Sequence, residues 1–202
     1  MTVSTDVAII DSGGANLASL QFALERLGAT TTVTADSERL RTASHVILPG
    51  VGAAADAMQR LAAAGLVDTV RRLTQPVLGI CLGLQLLAEH SAENDAECIA
   101  AVPGRSERLP ASIDYPVPNM GWCQITDTQP HPLLDGIGNG DWFYFVHSYA
   151  LPPADYSIAA ARHAVPFTAV LAQGNFMATQ FHPERSSQAG ARLLQNFLAL
   201  PS

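Results

Sequence analysis

The segment of this chain best suited to chemistry is Gly79-Ile80-Cys81-Leu82-Gly83. It follows the apolar stretch Pro76-Val77-Leu78 and precedes the helix-like run Leu84-Gln85-Leu86-Leu87-Ala88-Glu89. This pattern predicts a thiol at a sharp strand-to-helix turn, where glycines let chain segments approach closely and the positive end of the helix dipole favours thiolate. A lone cysteine at a strand end is more commonly a small buried hydrophobe, but the two flanking glycines favour a nucleophile here.

A nucleophilic cysteine needs a base, and one candidate pair lies near the C-terminus. The run Phe176 to Phe181 is typical of a strand, and it delivers His182-Pro183-Glu184 at its end. Pro183 should stop the strand, so that His182 and Glu184, two apart in an extended run, project to the same side. Glu184 would then orient the imidazole while the other ring nitrogen takes the thiol proton. Alone, His-Pro-Glu more commonly marks a turn; its place between an apolar strand and a terminal helix favours catalysis.

A second loop with possible chemistry is Pro49-Gly50-Val51-Gly52, which follows the apolar run Val46-Ile47-Leu48. In an open α/β sheet, ligand sites form outside the carboxyl ends of the strands, and both this loop and Cys81 are predicted there. Its two glycines would allow peptide amides to turn toward a developing oxyanion. The alternative interpretation is a tight loop without chemistry.

Composition limits the class of protein. The 202 residues are 48% hydrophobic and 14% charged, which is typical of a compact globular chain. The net charge of −7 argues against nucleic acid or an anionic membrane as the main partner. Because no apolar stretch reaches about 18 residues and the three cysteines are an odd number, we expect a cytoplasmic protein without disulfides. The histidines lack metal-ligand spacing, so we expect neither a metal nor a cofactor.

The first half alternates apolar runs with amphipathic segments, a pattern that predicts an α/β fold with a mostly parallel central sheet flanked by helices. Its predicted strands are Val7 to Ile10, Thr31 to Thr34, Val46 to Leu48 and the one carrying Cys81, and its helices begin near Asn16, Glu38 and Ala53. The second half is proline-interrupted and predicted to be β-rich, with strands over Trp142 to Tyr149, Ser157 to Arg162, Phe167 to Ala172 and Phe176 to Phe181 before a helix from Ser187 to Leu200. With no repeat or low-complexity linker, we expect residues 1–202 to form a single domain.

Together these residues resemble the class I (triad-type) glutamine amidotransferases, in which Gly-x-Cys-x-Gly holds the nucleophile and His-x-Glu follows on a late strand. Within that superfamily the chain is similar to the glutaminase-subunit family of imidazole glycerol phosphate synthases. Six ordered blocks carry this likeness: Asn16 to Ser19, Pro49 to Gly52, Gly79 to Gln85, Val117 to Trp122, Tyr144 to Tyr149 and Gln180 to Glu184. The resemblance covers nearly the whole chain and implies a flavodoxin-like class I glutamine amidotransferase fold.

The resemblance also implies an activity. Cys81 would attack the side-chain amide of glutamine, His182 would shuttle the proton, and Glu184 would hold the imidazole. Ammonia would pass to a separate (β/α)8-barrel cyclase subunit in a heterodimer that makes imidazole glycerol phosphate and aminoimidazole carboxamide ribotide in histidine biosynthesis. The expected oxyanion and substrate-binding residues are Gly50, Val51, Gly52, Leu82, Gln85, His147, Ser148 and Tyr149.

The resemblance implies a docking face as well, at or near Asn16, Met120, Trp122 and Arg185. This chain departs from the expected pattern at Ser12, at Asn119 where His is frequent, and at Cys123 where Asn is frequent. None of these departures touches the predicted triad.

The sequence is compatible with two other functions. One is a glutaminase subunit serving another synthase, such as that of pyridoxal phosphate synthesis, which typically carries a Gly-Gly-Glu-Ser type loop in place of Pro49 to Gly52. The other is a non-catalytic binding protein that keeps the fold. The intact Cys81, His182 and Glu184 argue against the second alternative.

Overall fold

A computed structural model of the protein describes residues 5–11 and 17–202. The predicted turn at Ser12 and the predicted cap and docking residue Asn16 lie outside the described residues. The strands of the protein's largest sheet are β1 (Asp6–Ile10), β2 (Thr30–Thr34), β3 (His45–Gly50), β4 (Val77–Cys81), β8 (Asn119–Thr126), β9 (Trp142–His147), β11 (Ser157–His163), β12 (Val165–Gln173) and β13 (Phe176–Thr179). Within the described residues these nine strands lie in the order β2-β1-β3-β4-β13-β12-β11-β8-β9.

The α/β prediction is confirmed, and the sheet is mixed. The five strands β2, β1, β3, β4 and β13 run parallel, and antiparallel pairing extends the sheet from β13 through β12, β11 and β8 to β9. A second, four-stranded sheet contains β5 (His90–Ser91), β6 (Ala96–Glu97), β7 (Arg105–Arg108) and β10 (Tyr149–Ala150). The described helices are α1 (Leu17–Arg26), α2 (Ser37–Thr42), α3 (Ala54–Ala63), α4 (Val67–Arg71), α5 (Leu82–Leu87) and α6 (Ser187–Leu198).

Buried strands with apolar residues on both faces explain the layered arrangement. In β3, Ile47 faces one apolar cluster with α1 and α6, whereas Val46 and Leu48 face another cluster with α2, α3, α4 and α5. All residues of β3 and β4 are buried. Successive side chains of a strand point to opposite faces, so each strand needs a helical layer on both sides. The site-bearing strands therefore lie at the centre of the molecule.

Three local features differ from the sequence-based predictions. The helix after Cys81 spans Leu82–Leu87 rather than beginning at Leu84, because the backbone turns at Cys81 itself. The predicted strand from Trp142 to Tyr149 ends at His147, and Tyr149–Ala150 pairs with β7 in the second sheet. Strand β8 was not predicted, because Gly121 and the nearby prolines obscure its alternation.

Among the described residues, the helices are all too short or too polar to cross a membrane.

Candidate active site

Cys81 ends β4 and caps α5 in an unusual backbone conformation. Its φ is 55° and its ψ is −108°, a region that side-chain-bearing residues rarely adopt and that costs about 1–3 kcal/mol. The flanking glycines therefore allow the close backbone approach that the sequence predicts, but the strained dihedral belongs to the cysteine and not to either glycine. A Cβ on Gly83 would lie 1.8 Å from the Leu48 carbonyl oxygen, and one on Gly79 would lie 2.9 Å from the Gly83 carbonyl oxygen. Without side chains at both positions, α5 can start directly behind the thiol.

His182 and Glu184 form a hydrogen-bonded pair beyond the end of β13. His182 Nδ1 lies 2.9 Å from Glu184 Oε1, and their side chains are only 10% and 11% exposed. Glu184 reaches the imidazole from a 3₁₀ turn over Pro183–Arg185, not from the extended run that the sequence predicts. Pro183 begins this turn because its fixed φ and missing N–H suit the first position of a helix. The carboxylate therefore fixes Nδ1 as the protonated nitrogen and leaves Nε2 for other chemistry.

The Cys81 thiol and the His182 imidazole are in contact. Burial lowers the pKa of His182, but the hydrogen bonds and negative charge of Cys81 and Glu184 outweigh burial and raise that pKa to about 10. The imidazolium form is thus favoured next to the sulfur. Such a pair can hold a thiolate, deliver a proton to a leaving group and later accept a proton from water.

Both side chains line a cavity of about 330 Å³. The sequence-predicted residues that share this cavity are Val51, Gly52, Leu82, Gln85, His147, Ser148 and Tyr149. Gly50 lines a neighbouring cavity of about 300 Å³ with Glu184 and Arg185, and His182 borders both cavities. Gly50 is nevertheless the residue of β3 paired with Cys81, and a Cβ there would lie 2.9 Å from the Leu82 Cβ. The structure thus brings together the predicted set, with Gly50 supporting the elbow.

His147 holds the backbone beside the cavity. Its Nδ1 donates to the Tyr149 carbonyl oxygen at 2.9 Å, and its Nε2 accepts from Asn119 Nδ2 at 3.1 Å. Burial is the main reason that the pKa of His147 is lowered to about 4. The charges of His163 and His182 lower this pKa as well, whereas the hydrogen bond to Tyr149 raises it. His147 is therefore a neutral imidazole that fixes the chain where it leaves β9.

Two residues near the nucleophile were missed in the sequence. Glu93 lines the cavity from a short 3₁₀ turn, and its Oε2 accepts from the Ala54 backbone N–H at 2.9 Å, at the start of α3. Gln180 is fully buried, and its Nε2 lies 4.0 Å from the Cys81 sulfur. No local pattern around Glu93 signals this placement, whereas Gln180 stands two residues before His182 and could have been found from that position.

The predicted docking residues Met120 and Trp122 lie on an exposed face, which we call the β8–β9 face. It consists of alternate residues of the two paired strands: Met120, Trp122, Trp142, Tyr144 and Val146. Met120, Trp122 and Trp142 are 65%, 48% and 52% exposed, although large apolar side chains are normally buried. The Arg185 guanidinium carbon lies 4.7 Å from the centre of the Tyr144 ring, which places Arg185 at the edge of the same face.

Within residues 5–11 and 17–202, no group of three or more His, Cys, Asp or Glu side chains is arranged to hold a metal ion.

Comparison with known proteins gives one consistent family. Residues 8–200 match the sequence model of the family described as Glutamine amidotransferase class-I. The chain is 50% identical to the imidazole glycerol phosphate synthase subunit HisH 2 of Legionella pneumophila (strain Lens), with 97% of this chain and 98% of that protein covered. It is 48% identical, at the same coverage, to the HisH subunit of Xylella fastidiosa (strain 9a5c).

Solved structures show the same fold at low sequence identity. A putative GMP synthase subunit from Thermoplasma acidophilum is 18% identical and has a TM-score of 0.77 over 98% of this chain and 94% of its own. A structure described as a glutamine amidotransferase is 19% identical and has a TM-score of 0.73 over 95% of this chain and 96% of its own.

The His182–Glu184 pair predicts a pH-dependent stability. Because the folded-state pKa of His182 is raised to about 10 from the ordinary 6.5, its contribution is fully present below about pH 6.5 and is lost as the pH rises through about 10. A Glu184→Gln variant should lower the free energy of unfolding by about 1.5 kcal/mol or more at about pH 6, and by less at about pH 10. Urea titrations of both proteins at the two pH values measure this difference.

The matched control is Glu107→Gln, whose exposed carboxylate meets Arg105 at the surface and should contribute little at either pH. An equal loss of stability at both pH values in Glu184→Gln would contradict the assigned pair.

Proposed function

This chain belongs to the family of class I glutamine amidotransferases, and we propose that it is the glutamine-hydrolysing subunit of an imidazole glycerol phosphate synthase. The two relatives named for that subunit above match over 97% of the chain at 50% and 48% identity. The observation that carries the reaction is that Cys81 and His182 line one cavity and that Glu184 is hydrogen-bonded to His182, although half of the chain separates Cys81 from the other two. The cytoplasmic location and the single-domain organisation remain predictions.

In the proposed reaction, the Cys81 thiolate adds to the side-chain amide carbon of glutamine. The His182 imidazolium donates its proton to the amide nitrogen, the C–N bond breaks and ammonia leaves a glutamyl thioester. Water then loses a proton to His182 and attacks the thioester, which releases glutamate and restores the thiol. Glu184 keeps the imidazole in the required tautomer throughout.

The tetrahedral intermediates need donors for their oxyanion. The backbone N–H of Leu82, in the first turn of α5, has no partner within its own helix and lies next to the sulfur. Val51 and Gly52 border the same cavity from the loop after β3, and Gly52 has a φ of 87°, which a glycine adopts without strain. We propose that these amides form the oxyanion hole.

The α-amino group of glutamine needs a negative partner, and Glu93 meets that need. It is the carboxylate among the described residues that line the cavity, and its Oε2 accepts from the Ala54 N–H. The segment Ser148–Tyr149 supplies neutral polar groups for the α-carboxylate. The Gln85 side-chain oxygen is left for the amide end, because the Gln85 NH₂ group already has two acceptors. Burial of a charged ligand without such partners would be costly.

The ammonia must reach an acceptor, and the β8–β9 face is the proposed docking surface for the (β/α)8-barrel cyclase subunit. Its exposed Trp and Tyr side chains with a neighbouring Arg are the residue types that dominate binding energy at protein interfaces. Val146 joins this face to the cavity, because its side of β9 borders the face and its carbonyl oxygen lies 3.7 Å from the Cys81 sulfur. Docking there would bring the partner close to the site of ammonia release.

Replacing the nucleophile tests the activity. We expect Cys81→Ala to reduce glutamate release from glutamine, measured with the cyclase subunit present, by about a thousandfold or more. Cys98→Ala is the control, because Cys98 is buried away from the cavity and should leave the rate near that of the wild type. Retention of the wild-type rate in Cys81→Ala would end the enzymatic proposal.

Replacing Glu93 tests substrate recognition. Glu93→Gln keeps an oxygen for the Ala54 N–H but removes the negative charge, so we expect KM for glutamine to rise about tenfold with a much smaller change in kcat. The control is Glu97→Gln, which removes an exposed carboxylate of β6 outside the cavity. Steady-state kinetics of the complex give both constants, and an unchanged KM in Glu93→Gln would refute the assignment.

Replacing Trp122 tests the docking surface. We expect Trp122→Ala to weaken binding of the cyclase subunit by about 2 kcal/mol or more, because Trp122 is exposed and packs against Tyr144 with ring centres 6.0 Å apart. Titration calorimetry measures the affinity. Ile113→Ala is the control, because Ile113 is fully exposed on the loop that precedes β8 and is not one of the residues of the β8–β9 face. If Trp122→Ala bound as tightly as wild type, this surface would not be the interface.

A further inference from the structure

Two buried glutamine side chains lie next to the nucleophile, one in contact with the sulfur and the other hydrogen-bonded to the first. Gln180 Nε2 lies 4.0 Å from the Cys81 sulfur, which is within hydrogen-bonding range for sulfur. Gln180 Oε1 accepts from Gln85 Nε2 at 3.3 Å, and the same Nε2 donates to the Tyr149 carbonyl oxygen at 2.9 Å. Gln180 and Gln85 are 0% and 4% exposed, so water is largely excluded from both amides.

The direction of these hydrogen bonds is fixed by the neighbours. Tyr149 offers a carbonyl oxygen, so Gln85 must present its NH₂ group there, and that group then faces the Gln180 oxygen. If the Gln180 amide were reversed, its NH₂ would meet the NH₂ of Gln85, and its oxygen would face the sulfur. The arrangement in the structure is therefore the one that points an N–H at Cys81.

The chain of hydrogen bonds continues beyond Gln85, away from the sulfur. The Tyr149 carbonyl oxygen also accepts from His147 Nδ1, and His147 Nε2 accepts from Asn119 Nδ2. Asn119 belongs to β8, the strand that carries Met120 and Trp122. The carbonyl that orients Gln85 is thus held in place by the neighbouring strand.

The sulfur has two kinds of polar neighbour with opposite effects. The Val146 carbonyl oxygen, 3.7 Å away, accepts from the thiol and faces a thiolate unfavourably. An N–H donor favours the thiolate, because a hydrogen bond to an ionised acceptor is stronger than one to a neutral acceptor. Gln180 therefore opposes Val146, from a site where low solvent access strengthens both interactions.

We propose that Gln180 is a further catalytic residue, which stabilises the Cys81 thiolate through its side-chain N–H, and that Gln85 positions it. This inference deepens the proposed function and depends on it, because it assigns a role to a group that touches the nucleophile. Gln180 supplies a donor that acts before substrate binds, whereas His182 exchanges its proton during the reaction.

Among the described residues, four other titratable groups lie around the sulfur and can contribute to the pH dependence of its reactivity. His182 touches the sulfur, Glu184 stands behind His182, and His147 and Glu93 line the same cavity. Because burial holds the pKa of His147 near 4, that residue stays neutral above about pH 6 and adds nothing to the profile. His182, Glu184 and Glu93 remain in place in the variants below, so a difference from wild type reports on Gln180.

The experiment measures alkylation of Cys81 by iodoacetamide against pH, with the modified site read by mass spectrometry. Burial raises the pKa of Cys98 to about 11 and raises that of Cys123, so those thiols react slowly near neutral pH. Gln180→Met keeps the side-chain volume but removes the donor. We expect its Cys81 to react about tenfold more slowly near pH 7 and its pH midpoint to move up by about one unit.

Gln75→Met is the matched control. Gln75 is also a buried glutamine, and its Nε2 donates to the Leu40 carbonyl oxygen at 2.7 Å near the opposite end of β4. The same substitution there should cost similar stability and leave the Cys81 alkylation profile at that of the wild type. This control separates loss of a buried amide in general from loss of the donor to the sulfur.

A second variant, Gln180→Asn, keeps a buried amide but shortens its reach to the sulfur, and it should also slow alkylation. If Gln180→Met does not fold, as judged by circular dichroism, the Asn variant decides alone. A wild-type alkylation profile in the folded variant would overturn the proposal, even if glutamate release fell. Because alkylation needs no glutamine, that failure is distinct from failure of the proposed function, which Cys81→Ala tests.

Discussion

The parallel pairing of β13 with β4 is the contact on which the candidate site depends. Its register sets Ile80 opposite Thr179, so the next residues of the two strands, Cys81 and Gln180, emerge side by side. His182 follows two residues later and meets the sulfur. A slip of one residue would turn every side chain of β13 to the other face and would move the imidazole away from the thiol. Side-chain size opposes such a slip, because β13 is buried on both faces and only the small Ala178 fits opposite Gly79, where a Cβ on the glycine would already lie 3.0 Å from the Ala178 Cβ.

Once the register is set, the sharp turn of the backbone at Cys81, between β4 and α5, directs the sulfur into the cavity. The positive φ of Cys81 is a local cost, and the surrounding structure maintains it because β3 and β13 pair with β4 on both sides. Gly79 and Gly83 make the packing behind the elbow possible, since a side chain at Gly83 would overlap the backbone of β3. The strained backbone of Cys81 and the close packing at Gly79 and Gly83 therefore act together, and they place the first residues of α5 next to the thiol.

Strand β9 links the chemistry to the proposed docking surface. Its inward residues Phe143 and Phe145 pack in the core, and its outward residues Trp142 and Tyr144 belong to the β8–β9 face. Where the strand ends, Val146 and His147 border the cavity. A partner that binds the outer face thus contacts the strand that ends at His147, which donates to the Tyr149 carbonyl oxygen. That carbonyl orients Gln85, and Gln85 in turn orients Gln180. The rigid alternation of a strand makes this continuity possible.

The sequence alone determined the order of the main strands and helices, the glycine frame of Cys81 and the His182-Pro183-Glu184 motif. Those features are encoded locally, in hydrophobic period, in glycine and proline placement and in short spacings. Only the tertiary structure decided that Glu93 borders the cavity, that Gly50 faces a neighbouring one, that β9 stops at His147 and that Gln180 points an N–H at the sulfur. The physical reason is that each of these depends on which distant backbone groups, such as the Ala54 N–H and the Tyr149 carbonyl, the strand pairing brings within hydrogen-bonding distance.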